Sequence, residues 1–164
     1  MPPPFPSREE LLSRGYWPKT VEELYDLWQE AHREALALAA RLPEVFGDPP
    51  RPAITRSVAR GLDDEWILTE ERYTELLAQD SEQHWMDVTA EDVKNCQEYF
   101  SFSDAEGCRF YYPAYLRHYL EGFPLYWFTA VREACIFRTH LELLSEKQLE
   151  FIDEFMKLCA TWEN

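Results

Sequence analysis

Residues 20–42 read TVEELYDLWQEAHREALALAARL. Val21, Leu24, Tyr25, Trp28, Ala31, Ala35, Leu38, Ala39 and Leu42 recur there every three or four positions, the spacing that lines apolar side chains along one stripe of an α-helix. Thr20 followed by Glu23 forms a capping box at the start, and Pro43 supplies a stop. A helix with one apolar stripe draws most of its stability from burying it against neighbours. The flanking sequence supplies further helices for that purpose.

Toward the N-terminus, Ser7 with Glu10 is a second capping box, predicting a short helix to Arg14 with Gly15 as its stop. Residues 1–6 (MPPPFP) read as a Pro-rich extended arm, and Tyr16-Trp17-Pro18 as an extended link. Toward the C-terminus, residues 43–53 (PEVFGDPPRPA) read as a surface loop. A short helix is expected over Thr55–Arg60, ending at Gly61. Thr69 and Thr89 read as N-caps, stapled by Leu68 with Tyr73 and by Val88 with Val93. Ser103 with Glu106 is another capping box, and Pro113 fits the first turn of a fresh helix reaching Gly122. Pro124 opens an apolar helix to about His140, and Ser145 with Gln148 caps a last helix carrying Leu149, Ile152, Phe155, Met156 and Cys159 inward. The expected fold is all-α: a compact single-domain bundle of six or seven helices over residues 7–164, with at most a minor strand near residues 65–68 (EWIL).

A chain of 164 residues with 46% hydrophobic and 15% aromatic content can build its own core without disulfides or metal. Cys96, Cys108, Cys135 and Cys159 lie 12, 27 and 24 residues apart, with no Cys-x-x-Cys pair. They are expected to be buried free thiols, in keeping with a reducing cytoplasm. No run of about 18 apolar residues is present to span a membrane, and the N-terminus lacks the basic and apolar regions of a signal peptide.

The net charge of −15 is unevenly spread. Residues 61–106 carry 14 acidic and two basic groups, whereas residues 1–60 carry nine and eight. A field of this sign repels nucleic acid and anionic lipid and attracts basic proteins. The candidate partner-binding residues are Asp63, Asp64, Glu65, Glu70, Glu71, Glu75, Asp80, Glu82, Asp87, Glu91 and Asp92. The simpler reading is a solvated face that confers solubility. The discriminating question is whether these carboxylates share one surface.

Catalytic and cofactor motifs are missing. There is no phosphate loop, dinucleotide fingerprint, nucleophile elbow, zinc-protease motif, calcium loop or Glu-x-x-His pair, so no cofactor and no metal is expected. His84 sits among Asp80, Glu82 and Asp87, and His118 has Glu121 one turn on, beside Tyr112 and Tyr115. The dense aromatic run Tyr99–Phe128 around them reads either as core or as a ligand pocket lined by Tyr112, Tyr115, His118 and Glu121.

The segment Phe110-Tyr111-Tyr112-Pro113-Ala114-Tyr115-Leu116, the upstream Trp85 and the helix opening at Ser145-Glu146-Lys147-Gln148 carry a resemblance. Over roughly residues 20–160 the chain resembles an uncharacterised bacterial family, a domain of unknown function marked by a Tyr-x-x-Pro-Ala-Tyr-Leu segment and a C-terminal Leu-x-x-x-Gln helix. The resemblance implies a small cytoplasmic protein and transfers no functional residue.

Three functions compete. The first is a non-enzymatic module docking a basic partner through its acidic segment, in the manner of an immunity protein or antitoxin-like inhibitor. The second is a small enzyme using the Tyr/His/Glu pocket. The third is a structural or oligomeric accessory protein using its aromatic surplus. The sequence leaves the oligomeric state open.

Overall fold

Most of the helix caps read from neighbouring residues form in the computed structural model, and the boxes at Thr20–Glu23 and Ser103–Glu106 do not. The structure describes residues 6–125 and 129–162. Among these residues are α1 (Arg8–Ser13), α2 (Pro18–Ala39), α3 (Leu42–Phe46), α4 (Arg56–Glu65), α5 (Glu70–Gln79), α6 (Ala90–Asn95), α7 (Ala105–Gly122), α8 (Ala130–Ile136) and α9 (Glu146–Trp162), with 3-10 turns at Trp85–Asp87 and Tyr99–Ser101. The fold is all-α, as expected. The Ser7–Glu10, Thr89–Asp92 and Ser145–Gln148 boxes all form, and the Thr69 hydroxyl accepts from the Arg72 amide. Each satisfies amide donors that a helix start leaves without partners.

Several helix ends differ from the expectation. Helix α2 starts at Pro18, two residues before Thr20, because proline at the first helical position gives up no hydrogen bond and arrives with a helical φ. Pro43 likewise sits in the first turn of α3, so residues 43–46 of the expected loop are helical and the loop begins at Gly47. Helix α4 runs through Gly61 to Glu65, and Trp66 ends it at φ +63°. No strand forms near 65–68, because that stretch is spent on this helix end and the turn into α5, where Ile67 donates to the Glu65 carbonyl at 2.7 Å. Asp104 replaces Ser103 as the cap of α7, accepting from the Gly107 amide at 2.7 Å. The apolar helix expected from Leu125 is shorter, beginning at Ala130. Residues 1–5 of the Pro-rich arm, and Tyr126, Trp127 and Phe128 of the aromatic run, lie outside the described residues.

Helix α7 organises the core. Of its 18 residues 13 are buried, and a narrow polar strip through Glu106, Arg109, Arg117 and Glu121 reaches solvent. Pro113 sits inside this single helix and does not start a new one. A mid-helix proline costs on the order of 3 kcal/mol, which burial of Tyr111, Tyr112, Tyr115, Leu116, Tyr119 and Leu120 around it can offset. Ala31, Ala35 and Leu38 of α2 pack on α7, and Phe155 of α9 meets Tyr119 edge to face at 5.3 Å. Trp85 is fully buried and donates to the Gly47 carbonyl at 2.9 Å, tying the proline-rich loop to the bundle. All four cysteines are free and buried, and burial pushes the Cys108 thiol up to about 12.

One close approach in this core is testable. A Cβ at Gly107 would lie 2.0 Å from the Tyr99 hydroxyl, which is buried without a hydrogen-bond partner among the described residues. Gly107→Ala should therefore cost about 1–3 kcal/mol in urea denaturation. Tyr99→Phe alone should be close to neutral. The double variant should recover part of the loss, the Cβ still standing 2.8 Å from Asp104 Oδ1, and equal destabilisation of the single and double variants would contradict the packing described.

Candidate functional site

The acidic residues separate into an internal set and an external one. Asp80 and Glu82 are 2% and 1% exposed and close around Arg56. The Arg56 guanidinium donates from Nε to Glu82 Oε1 at 2.8 Å and from Nη2 to Oε2 at 3.1 Å, the two-pronged geometry that makes arginine–carboxylate pairs strong. Asp80 Oδ1 and Asp92 Oδ1 stand 3.4 and 3.3 Å from Nη2. The Tyr111 hydroxyl donates to Glu82 Oε1 at 2.8 Å and accepts from the Arg56 amide at 3.2 Å. Burial by itself would lower the Arg56 pKa; the Glu82 hydrogen bond and the charges of Glu82, Asp80 and Asp92 outweigh it and raise the pKa. Burial, reinforced by the adjacent Glu82 charge, raises the Tyr111 pKa.

Asp80 also completes the start of α4. The N-cap residue Thr55 makes no side-chain cap, and Asp80 accepts instead from the Ser57 amide at 2.8 Å and its hydroxyl at 2.6 Å. A carboxylate there meets the positive end of the helix dipole. Arg51 extends the network, donating to the Asp80 and Glu82 carbonyls at 2.7 and 2.9 Å.

Other acidic residues are occupied nearer the surface. Asp87 accepts from the amides of Gln83 and His84, which hold its carboxyl below the usual carboxylate range. His84 is a capping group here, accepting from the Met86 amide at 3.0 Å. Asp92 caps α6, Glu65 and Glu75 pair with Arg72, and Glu98 pairs with Arg60. Asp63, Asp64, Glu70, Glu71 and Glu91 are exposed, with no ion pair among the described residues. Four of these five stand at the corner where α4 ends and α5 begins. The expected eleven-residue docking face is therefore reduced: Asp80 and Glu82 are too deep to touch a partner, and Asp87 and Asp92 serve caps.

The α4–α5 corner has two further properties. The last turn of α4 carries Asp63, Asp64 and Glu65 and no basic residue. Carboxylates at a helix C-terminus oppose its dipole, at about 0.3–1 kcal/mol each, so helix stability does not explain them. Trp66 and Ile67 follow at 86% and 85% exposure, with Trp66 at a positive φ that bulky residues rarely adopt. Between the helices runs an open groove of about 550 Å³, lined by Ile54, Val58, Leu62, Leu68 and Tyr73 and, on the α5 side, by Thr69, Glu70 and Thr74. Gly61 lets the helices meet closely; a Cβ there would lie 2.3 Å from Leu76 Cδ1.

The expected aromatic pocket is core. Tyr112 and Tyr115 are fully buried, and their hydroxyls donate to the backbone carbonyls of Thr139 and Cys96. His118 Nε2 lies 2.8 Å from the Val88 carbonyl, and its Nδ1 is 3.8 Å from Glu121 Oε2. Burial holds the His118 imidazole below its ordinary 6.5 despite that carboxylate. Tyr112, Tyr115 and His118 are packed in the core among the described residues, whereas Glu121 lies at the edge of a shallow surface cleft with Met86 and Arg117. No group of three or more His, Cys, Asp or Glu residues among those described could hold a metal ion, and no described helix is long and apolar enough to cross a membrane.

Sequence reasoning missed Arg56, Trp66 and Ile67. A signal for the first was present: Arg51, Arg56 and Arg60 stand immediately before a stretch whose carboxylates outnumber its own cations seven to one. Trp66 and Ile67 read only as strand-like.

A model describing a family of unknown function (DUF6714) matches residues 35–123, more than half of the chain. The chain belongs to this family. The DUF6714 match includes the Arg56 network, the α4–α5 corner and all of α7, and stops before α8 and α9. The Tyr-Tyr-Pro-Ala-Tyr-Leu segment lies within it, and the closing helix lies beyond. Neither the curated proteins nor the solved structures gave a match.

Removing Arg56 should leave Asp80 and Glu82 buried and uncompensated. Arg56→Met is expected to cost about 3–5 kcal/mol in chemical denaturation. Arg56→Lys, which keeps the charge but not the fork, should lose less. A cost under about 1 kcal/mol for Arg56→Met would contradict the role given to the network. For His118, the folded pKa lies below the unfolded value near 6.5. The unfolded chain therefore binds more protons between the two, and the stability owed to neutral His118 is lost as pH falls below about 6.5. The destabilisation caused by His118→Gln should accordingly be smaller at about pH 5 than at about pH 7.5, and a pH-independent difference would refute the assignment.

Proposed function

We propose that the protein is a non-enzymatic binding module that docks a basic partner protein through the α4–α5 corner. The observation carrying this reading is the set of four exposed carboxylates, Asp63, Asp64, Glu70 and Glu71, that no basic residue of the described chain neutralises. Two of them work against the dipole of their own helix, a cost with no return inside the fold. Segment 62–75 carries six acidic side chains and one arginine. A field of that density speeds encounter with a positively charged surface and discriminates against acidic ones. An inhibitor of a basic toxin or nuclease, in the manner of an immunity protein, would use the corner in this way.

The test starts by capturing, from native lysate at low salt, a basic protein that elutes at high salt, and purifying it. Association is then measured by stopped flow against the wild type and against a variant carrying Asp63→Asn, Asp64→Asn, Glu70→Gln and Glu71→Gln. The expected result is an on-rate lower by about tenfold or more with a flattened salt dependence. The same rate and salt slope for the variant would reject the corner as the docking site.

A further inference from the structure

We infer that the element recognised at this corner is a basic amphipathic helix that seats an apolar side chain in the α4–α5 groove and meets Trp66 and Ile67 of the turn joining the two helices. The inference rests on the docking reading and adds what charge alone does not require. A purely electrostatic site for a disordered basic tail has no use for a tryptophan and an isoleucine held at 86% and 85% exposure. Trp66 is held outward by a backbone conformation that a bulky residue adopts only at a cost, and such strain concentrates where surfaces act. The groove between α4 and α5 has apolar walls at Ile54, Val58, Leu62, Leu68 and Tyr73, and Glu70 with two threonines lines its α5 side. Its volume of about 550 Å³ exceeds that of any single side chain and suits anchors spaced one helical turn apart.

Charge selects the occupant. Asp63 and Asp64 stand at the α4 end of the apolar strip and Glu70 and Glu71 at the start of α5. A helix laid in the groove with apolar residues inward would bring flanking Lys or Arg toward these carboxylates. Another copy of this chain, at net −15, is disfavoured by like-charge repulsion, as is an anionic membrane. Tryptophan is the side chain most often found to dominate such interfaces, with polar groups excluding water around it.

The test uses two synthetic peptides of identical Leu and Lys composition, each of about 18 residues. One places all leucines on a single helical face; the other is scrambled so that no face forms. Titration calorimetry with the intact protein should give at least tenfold tighter binding for the amphipathic peptide. Trp66→Ala should remove that advantage while leaving the scrambled peptide's affinity unchanged. Because Trp66 is largely exposed, the variant should keep the wild-type melting temperature, and Leu62→Gln in the groove wall should repeat the loss. Equal affinity for both peptides, or a Trp66→Ala variant that binds as the wild type does, overturns the inference and leaves charge-driven docking intact. Failure of the wild type to bind either peptide at low salt overturns both.

Discussion

Arg56 is the group on which the arrangement of this bundle depends. It belongs to the first turn of α4, yet its partners come from the end of α5 (Asp80), the segment after it (Glu82), the cap of α6 (Asp92) and the centre of α7 through Tyr111. A guanidinium and two carboxylates removed from water are tolerated only when their hydrogen-bonding capacity is filled. Here Ser57, Tyr111 and the forked contact to Glu82 fill most of it. Such a cluster adds little net stability over an apolar substitute, and what it contributes here is a set of directed contacts joining α4, α6, α7 and the end of α5.

The tyrosines of α7 impose a similar order by a different means. The tyrosine side of α7 is buried in the core, away from its part-exposed Glu106, Arg117 and Glu121, so a hydroxyl there must find an acceptor within the protein. Tyr111 finds Glu82, Tyr112 the Thr139 carbonyl and Tyr115 the Cys96 carbonyl. These three bonds tie α7 to segments on three sides. They also account for the failure of the expected Tyr/His/Glu pocket, since groups committed to backbone carbonyls in a packed core are unavailable to a substrate.

How far the sequence carried follows from the range of each interaction. Capping boxes at Ser7, Thr89 and Ser145 were legible because donor and acceptor lie three residues apart. The uninterrupted α7 was not, because its mid-segment proline describes a break, and packing from α2 and α9 overrides it. The site was half legible. Composition located the carboxylates, but Arg56 is 26 residues from Glu82, and no local pattern tells a neutralised acid from a free one. The exposure of Trp66 depends on the turn that ends α4, which reads in sequence as a strand fragment.

The carboxylate that closes the start of α4 carries a consequence for how the molecule opens. Ser57 bonds to an aspartate 23 residues later, so α4 lacks its own terminus until α5 has folded back on it. Two helices joined in that way are expected to gain and lose order together. The acidic corner is the bend between them, and its display depends on contacts made at the opposite, buried end.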